Sequence, residues 1–294
     1  MTAVSQISMS TDGTLGRQSL TDFERDGFLV LEDFATGEET AALRAETARL
    51  IDAFDPASVK TVFSTANRSH AADIYFRESG DKIRFFLEDG ALNDDGVLTR
   101  EKTGVVNKIG HALHDLNPAF EAFSRSEKLA NLSRSLGLID PAPIQSMLIF
   151  KQPEIGGEVG MHQDATFLYT EPVSVVGFWL ALEDADLTNG CLVATPGGHK
   201  GPLRERFRYF DADTLGIERL GGEPLSGLPT VPLEVKEGTL VVLHGLLPHG
   251  SAPNTSPRSR MAYTLHVIDR KADWPADNWL KRAPELPLRG FDGL

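Results

Sequence analysis

Arg260-Met261-Ala262-Tyr263-Thr264-Leu265-His266-Val267-Ile268 is the stretch on which the reading of the fold turns. It is rich in β-branched and aromatic residues, and a strand period puts Arg260, Ala262, Thr264 and His266 on one face. Three more short segments have the same character, at 145–151, 174–182 and 238–244. Gly, Pro and Asn clusters such as Pro196-Gly197-Gly198 and Pro253-Asn254 separate them. Many short strands divided by turn signals predict two packed sheets, a jelly roll of the cupin kind.

Upstream of these strands the pattern is helical. Thr21-Asp22-Phe23-Glu24 has the spacing of a capping box opening a short helix that stops at Gly27, and 28–31 then reads as a strand. Thr36 with Glu39 is a second capping box. Leu43, Leu50, Ile51 and Phe54 fit one helical face behind it, and Pro56 closes the element. Segments 105–116 and 127–136 are further helix candidates, the second ending at Gly137. The expected class is therefore mainly β with flanking α, the N-terminal helices packing on one sheet. Residues 202–232 have weak periodicity and many Gly and Pro, which reads as a long functional or mobile loop.

Composition narrows the function. At 294 residues with 41% hydrophobic and 24% charged side chains, the chain suits one soluble globular domain. The polar lead-in at 1–18 is expected to be disordered rather than a targeting segment, leaving 19–294 as a single domain. No apolar run reaches the roughly 18–20 residues of a membrane span. The formal charge of −13 disfavours nucleic acid and anionic membranes as partners. The single cysteine, Cys191, excludes an internal disulfide and any Cys-rich zinc or iron–sulfur site. The expected setting is cytoplasmic, with a small molecule as partner.

His162-Gln163-Asp164 carries the first chemical signal. On an extended strand, i and i+2 share a face, so an imidazole and a carboxylate can hold one metal while Gln163 points away. A third ligand must come from His70, His111, His114, His199, His244, His249 or His266. His249 has the best context, in the turn Pro248-His249-Gly250-Ser251 after a probable strand. His244 competes with it, and His266 reads equally well as a core residue. Two histidines and a carboxylate on one side of a metal leave three positions open, which suits a bidentate 2-oxo acid and dioxygen. The far carboxylate of such an acid needs a cation, preferably Arg for its planar fork. Arg260, at the head of the opening stretch, is the candidate and Arg258 the alternative.

Seven blocks give these residues a context. They are Asp81-Lys82-Ile83-Arg84-Phe85-Phe86, Asn107-Lys108-Ile109-Gly110-His111-Ala112-Leu113-His114, Gln145-Ser146-Met147, Gly156-Gly157-Glu158-Val159, His162-Gln163-Asp164-Ala165-Thr166-Phe167-Leu168-Tyr169-Thr170-Glu171-Pro172, Asn189-Gly190-Cys191-Leu192 and Arg258-Ser259-Arg260. In this order, over about residues 20–287, the chain resembles the phytanoyl-CoA dioxygenase family, in its branch of phytanoyl-CoA dioxygenase domain-containing proteins. The resemblance implies a double-stranded β-helix and a dioxygenase using Fe(II), 2-oxoglutarate and O2. It puts the metal on His162, Asp164 and His249, favouring His249 over His244. It puts 2-oxoglutarate contacts on Lys108, Met147, Trp179, Ser251 and Arg260. Phe85, Phe86, Phe167 and Tyr169 are candidates for the cavity wall.

Halogenating relatives replace the metal carboxylate with a small residue. Its retention here as Asp164 implies hydroxylation of a C–H bond, with release of succinate and CO2. Gly250 and residues 204–228 depart from the family pattern where a substrate would enter. They leave an acyl-CoA and other small organic molecules both open, and Arg204, Arg206 and Arg208 are candidates to meet phosphates. Two further classes compete: a metal- and 2-oxoglutarate-binding sensor without a dedicated primary substrate, and a Zn(II) or Mn(II) cupin isomerase or hydrolase, which would not need Arg260.

Overall fold

The structure is a computed structural model whose described residues are 6–7, 10–56, 74–93 and 97–291. In chain order its elements are β1 (Gln6–Ile7), α1 (Arg17–Asp26), β2 (Phe28–Leu31), α2 (Gly37–Ala53), α3 (Ile74–Arg77), β3 (Ile83–Leu87), β4 (Val106–His111), α4 (Leu113–Leu116), α5 (Pro118–Ser124), α6 (Glu127–Ser135) and β5 (Pro141–Lys151). The strand-rich half follows, with β6 (Val159–His162), β7 (Val176–Ala181), β8 (Leu192–Ala194), β9 (Glu205–Tyr209), β10 (Leu215–Arg219), β11 (Val231–Leu233), β12 (Leu240–His244), β13 (His249–Ser251) and β14 (Arg260–Asp269).

Two sheets face each other. The major sheet runs β1-β2-β12-β7-β14-β5-β4-β3, the minor sheet β11-β8-β13-β6, and β9 pairs with β10 as a separate hairpin. All neighbouring strands are antiparallel except β1 and β2. This is the double-stranded β-helix that the strand pattern and the resemblance predict. β14 is its central plank, paired with β5 along one edge and β7 along the other. Its outward residues Tyr263, Leu265 and Val267 join Leu43 and Ile51 of α2, Phe120 of α5 and Leu129 of α6 in the largest hydrophobic cluster. The helices therefore pack on the outer face of the major sheet. The inner faces enclose a second cluster around Trp179, Val241, Ala262 and Leu192, which closes one end of the sandwich. A third, around Phe76, Phe86, Phe207 and Trp279, walls the other. Among the described residues no helix is long and apolar enough to cross a membrane.

Local chemistry accounts for most of the elements. Thr36 caps α2 with both arms of the box in place: its Oγ1 accepts from Glu39 N at 3.2 Å, and Glu39 Oε2 accepts from Thr36 N at 2.8 Å. Such a cap is worth about 1 kcal/mol. The box expected at Thr21 does not form. α1 begins four residues earlier, behind Gly16, and Thr21 Oγ1 donates instead to Arg17 O at 3.0 Å. The helix does end at Gly27, whose φ of 83° is the left-handed cap conformation.

Other expectations are corrected. Segment 105–116 is not one helix: it is β4 followed by the single turn α4, so Lys108 lies on a strand. All six residues of β4 are buried, and a strand buried on both faces shows no alternation. Residues 202–232 are not one loop, since β9 and β10 pair from Glu205↔Arg219 to Tyr209↔Leu215. The N-terminal lead-in is packed in part: Leu15 is buried in the largest cluster, and β1 pairs with β2. Residues 1–5 and 8–9 of that lead-in, and His70, lie outside the described residues.

Candidate active site

The space between the sheets is a cavity of about 360 Å³. The minor sheet brings two histidines to it. β6 ends on His162, β13 begins on His249, and the two are cross-strand partners with ring centroids 4.3 Å apart. Asp164 arrives differently from the expectation. It is not on the strand with His162 but opens a short 3-10 turn, Asp164–Thr166, that curls the chain inward. Gln163 points away and holds this turn: its Oε1 accepts from Arg204 N at 3.0 Å and its Nε2 donates to Leu246 O at 2.8 Å. The outcome is the expected grouping by another route. Donor atoms of His162, Asp164 and His249 all lie within 4.8 Å of one another. Asp164 Oδ1 is 3.7 Å from His162 Nε2 and 3.6 Å from His249 Nε2.

The tautomers follow from the backbone. His162 Nδ1 donates to Gly160 O at 2.9 Å, and His249 Nδ1 donates to Leu247 O at 3.0 Å. A carbonyl only accepts, so each Nδ1 carries a hydrogen and each Nε2 is turned toward Asp164. Burial, with the neighbouring His249 second, pushes His162 down to about 4 and keeps it neutral at pH 7. Burial alone would raise the Asp164 carboxyl, but His266, His249 and His162 outweigh it and hold the group ionised. His244 is excluded from this grouping. Its Nδ1 accepts from Leu246 N at 3.1 Å, and it stacks near His199.

The major sheet supplies the opposite wall. Thr264 of β14 is flanked by Met147 on β5 and Trp179 on β7, so these three form one row facing the cavity. Four residues before Thr264 on the same strand, Arg260 is 1% exposed, with its guanidinium 5.4 Å from the centre of the Trp179 ring. Ser251, at the end of β13, lines the same end. Lys108 enters from β4, its Nζ 4.8 Å from the Phe86 ring centre and 5.5 Å from that of Phe76. Burial lowers the Lys108 ammonium to about 7. All eight residues expected at the site thus line one cavity. Arg258 does not: it pairs with Asp186 at 2.5 Å on the surface.

The remaining aromatic and basic candidates divide. Phe167 lines the cavity, whereas Phe86 is buried behind it, Phe85 stacks on Phe54, and the Tyr169 hydroxyl donates to Glu171. Arg206 and Arg208 are paired with Asp277, and Arg208 also with Glu218, which ties the β9–β10 hairpin to the C-terminal segment.

Residues that sequence reasoning missed also face this space. His266 Nε2 lies 3.4 Å from Asp164 Oδ1. The signal was present, since alternation along 260–266 puts His266 on the face of Arg260. His111, Gln145 and Trp279 line the cavity as well. His111 was hidden by the helix reading of β4, and Trp279 by the irregular segment that carries it.

Three features test whether these side chains suit a metal and an anionic ligand. Asp164 Oδ2 is buried without a hydrogen-bond partner, and so are Nε and Nη1 of Arg260. Buried polar atoms are nearly always paired, so these mark places for something else. Gly177 leaves the room: a Cβ there would meet Asp164 Oδ2 at 2.5 Å. Two imidazoles that turn Nε2 inward and one carboxylate fit a divalent transition metal with open positions, and the Arg260 pocket fits a carboxylate.

Known proteins resemble this chain along most of its length. Residues 23–262 match the sequence pattern described as Phytanoyl-CoA dioxygenase (PhyH). The chain is 48% identical over 282 residues to Phytanoyl-CoA dioxygenase 1 of Oryza sativa subsp. japonica, covering 95% of this chain and 99% of that protein. It is 45% identical over 283 residues to Phytanoyl-CoA dioxygenase domain-containing protein 1 of Bos taurus, covering 93% and 97%. Among solved structures, the carbocyclase SnoK from nogalamycin biosynthesis is similar with a TM-score of 0.65 at 16% identity, over 96% of this chain and 99% of that one. EctD from S. alaskensis, solved with 2-oxoglutarate and 5-hydroxyectoine, is similar with a TM-score of 0.59 at 20% identity, over 94% and 90%. At these identities the structural likeness is one of fold.

Proposed function

The chain belongs to the phytanoyl-CoA dioxygenase family of non-haem iron, 2-oxoglutarate-dependent dioxygenases, and on that premise we propose that it hydroxylates a C–H bond of a small organic or acyl substrate. His162, Asp164 and His249 hold Fe(II) in this reading. One observation carries it: a His-Asp-His cluster and a buried, incompletely bonded Arg260 share one cavity. A zinc isomerase or hydrolase would need the cluster but not the arginine.

The protein's own part is orientation and exclusion. Each histidine keeps Nδ1–H on a backbone carbonyl, so both Nε2 lone pairs stay aimed without reorganisation. Asp164 adds one negative charge, kept ionised by three surrounding imidazoles. Arg260 and Ser251 receive the distal carboxylate of 2-oxoglutarate. Trp179 lies against the Arg260 guanidinium, and Met147 and Thr264, paired across β5 and β14, would line the space the acid enters. Iron and 2-oxoglutarate, when bound, supply the dioxygen activation that ends in succinate, carbon dioxide and an oxidised substrate. Phe76, Phe207 and Trp279 shield that chemistry from water on the substrate side. Retention of Asp164 supports hydroxylation over halogenation.

The test is anaerobic addition of Fe(II) and 2-oxoglutarate, followed by air. A weak visible charge-transfer band and then succinate are expected. A protein showing neither is not a 2-oxoglutarate oxygenase.

A further inference from the structure

At one end of the cavity two buried cations stand side by side. β14 and β5 are in register with Arg260 opposite Lys151, and each residue is 1% exposed. Like charges directly opposite on neighbouring strands destabilise a sheet, and burial makes the cost larger. The fold nevertheless makes deliberate room for the lysine. A Cβ on Gly156 would sit 2.7 Å from Lys151 Cα, and one on Gly190 would sit 2.5 Å from Lys151 Cδ. Two glycines thus form the channel through which the lysine stem runs, and Lys151 lines the cavity beside Arg260.

The nearby counter-charge is Glu88, which is 3% exposed. It accepts hydrogen bonds from Asn107 and from Gly157 N–H, yet its Oε1 has no partner. Lys151 Nζ donates to the carbonyl of that same Gly157. The backbone of Gly157 is therefore gripped at its N–H by Glu88 and at its C=O by Lys151. Two buried cations, Arg260 and Lys151, thus share this end of the cavity with the buried Glu88. Cys191 beside Arg260 is a thiol pushed up to about 11 by burial, so it adds no charge at pH 7. Glu183 is a second carboxylate near Arg260, half-buried, its Oε1 accepting from Ser259 Oγ at 2.9 Å and its Oε2 buried, whereas Glu158 near Lys151 is exposed. Two Arg260 nitrogens without hydrogen-bond partners, with a second cation alongside, are the complement of one carboxylate.

We infer that Lys151 is a second cation of this end of the cavity, assisting Arg260 in holding the distal carboxylate of the 2-oxo acid, and that Glu88 is the internal counter-ion limiting that attraction. The inference rests on the proposed function and goes beyond it. Burial, then Arg260, lowers the Lys151 ammonium to about 7, and burial raises the Glu88 carboxyl to about 7, so the pair is poised to adjust when an anion arrives. A purely structural role would have Lys151 only fasten the Gly157 loop ahead of β6. The two roles differ in which ligand they affect.

The experiment uses the Mn(II)-loaded full chain and calorimetric titration with 2-oxoglutarate and with 2-oxopentanoate, which keeps the metal-chelating end but lacks the distal carboxylate. Lys151→Met is expected to weaken 2-oxoglutarate about tenfold and leave 2-oxopentanoate within about twofold. Glu88→Gln removes the competing charge and is expected to tighten 2-oxoglutarate about threefold, again with 2-oxopentanoate unmoved. Equal weakening of both acids by a folded Lys151→Met overturns the inference in favour of the fastening role, as does no weakening of either. If Lys151→Met does not fold, Glu88→Gln decides by the same comparison. Wild type that binds neither acid overturns the proposed function and this inference together. Wild type that binds 2-oxoglutarate beside two variants indistinguishable from it overturns the inference alone.

Discussion

Two buried charge clusters in this protein are built on opposite principles. Around Asp115 of α4 both oxygens of the carboxylate are answered. Its side chain is fully buried, Oδ1 accepts from Arg125 at 2.5 Å and from Arg289 at 2.9 Å, and Oδ2 accepts from Arg282. Arg125 also donates to the carbonyl oxygens of Arg289 and Gly290, so the cluster fastens the C-terminal segment to the helices. Around Arg260 the charges are left incomplete: two guanidinium nitrogens and one Glu88 oxygen lack partners, and a second cation lies alongside. The first cluster is a joint, the second a receptor. Both hold buried nitrogens without hydrogen-bond partners, Arg125 Nε and His114 Nε2 in the first; what distinguishes the second is that Arg260 and Lys151 line the cavity.

Removing the central charge of the joint should have the largest effect. Asp115→Asn leaves the buried Arg125 and Arg282 without their anion, and a loss of about 3–5 kcal/mol is expected in urea unfolding. A loss below about 1 kcal/mol would break the contrast. Arg260→Ala comes next. It should weaken 2-oxoglutarate binding roughly 100-fold, in line with about 2–3 kcal/mol for hydrogen bonds to a charged group. The ligand-free protein should be as stable as wild type or more so. An Arg260→Ala protein as unstable as Asp115→Asn would make Arg260 a structural cation. Gly177→Ala should lower metal affinity about tenfold by pressing on Asp164 Oδ2, with little change in fold stability, as read by metal titration and thermal unfolding.

The smallest effect is in the pH profile, where both clusters should gain stability as pH rises, but in separate windows. Burial alone would raise Asp115, but His114 and Arg282 hold it below the usual carboxylate range. Its contribution is therefore present above the unfolded value of about 3.9 and lost as pH falls below it. The stability gap between wild type and Asp115→Asn should narrow in that acid range. Lys151 is lowered to about 7 against about 10.4 in the unfolded chain, so the unfolded state binds more protons between those values. Ligand-free wild type should gain stability as pH rises through that window. Lys151→Met should flatten the gain.

How much of this could be read in the sequence depended on how each element meets its neighbours. β14 was legible because one face meets the helices and the other the cavity, which preserves a period of two. β4 was not. Val105, Ile109, Ala112, Leu113 and Leu116 fall at helical spacing, and both faces of the strand are covered. The Thr36 box was true and the Thr21 box false, although both have the same spacing. What separates them is context: Glu39 is also held by Lys128 of α6 at 2.8 Å, while Thr21 lies inside a helix already begun at Arg17, its Oγ1 spent on Arg17 O. At the site, the metal cluster was legible as a motif with its family context. His266 needed only the alternation already in hand. Lys151 ended a recognised strand, but its meaning depends on which residue lies across from it, and register is a property of the folded sheet.

The division of labour between sheets has a further consequence. The candidate metal ligands end β6 and open or follow minor-sheet strands, whereas Arg260 and Lys151 belong to the major sheet. A diacid held at both ends must span the gap, and facing sheets keep a separation of about 10 Å. The sandwich thus works as a caliper: its thickness, set by core side chains far from either end, gauges the length of acid admitted. A change that thickens the closed end at Val241 and Leu233 would then shift preference among 2-oxo diacids of different chain length without touching a single liganding atom.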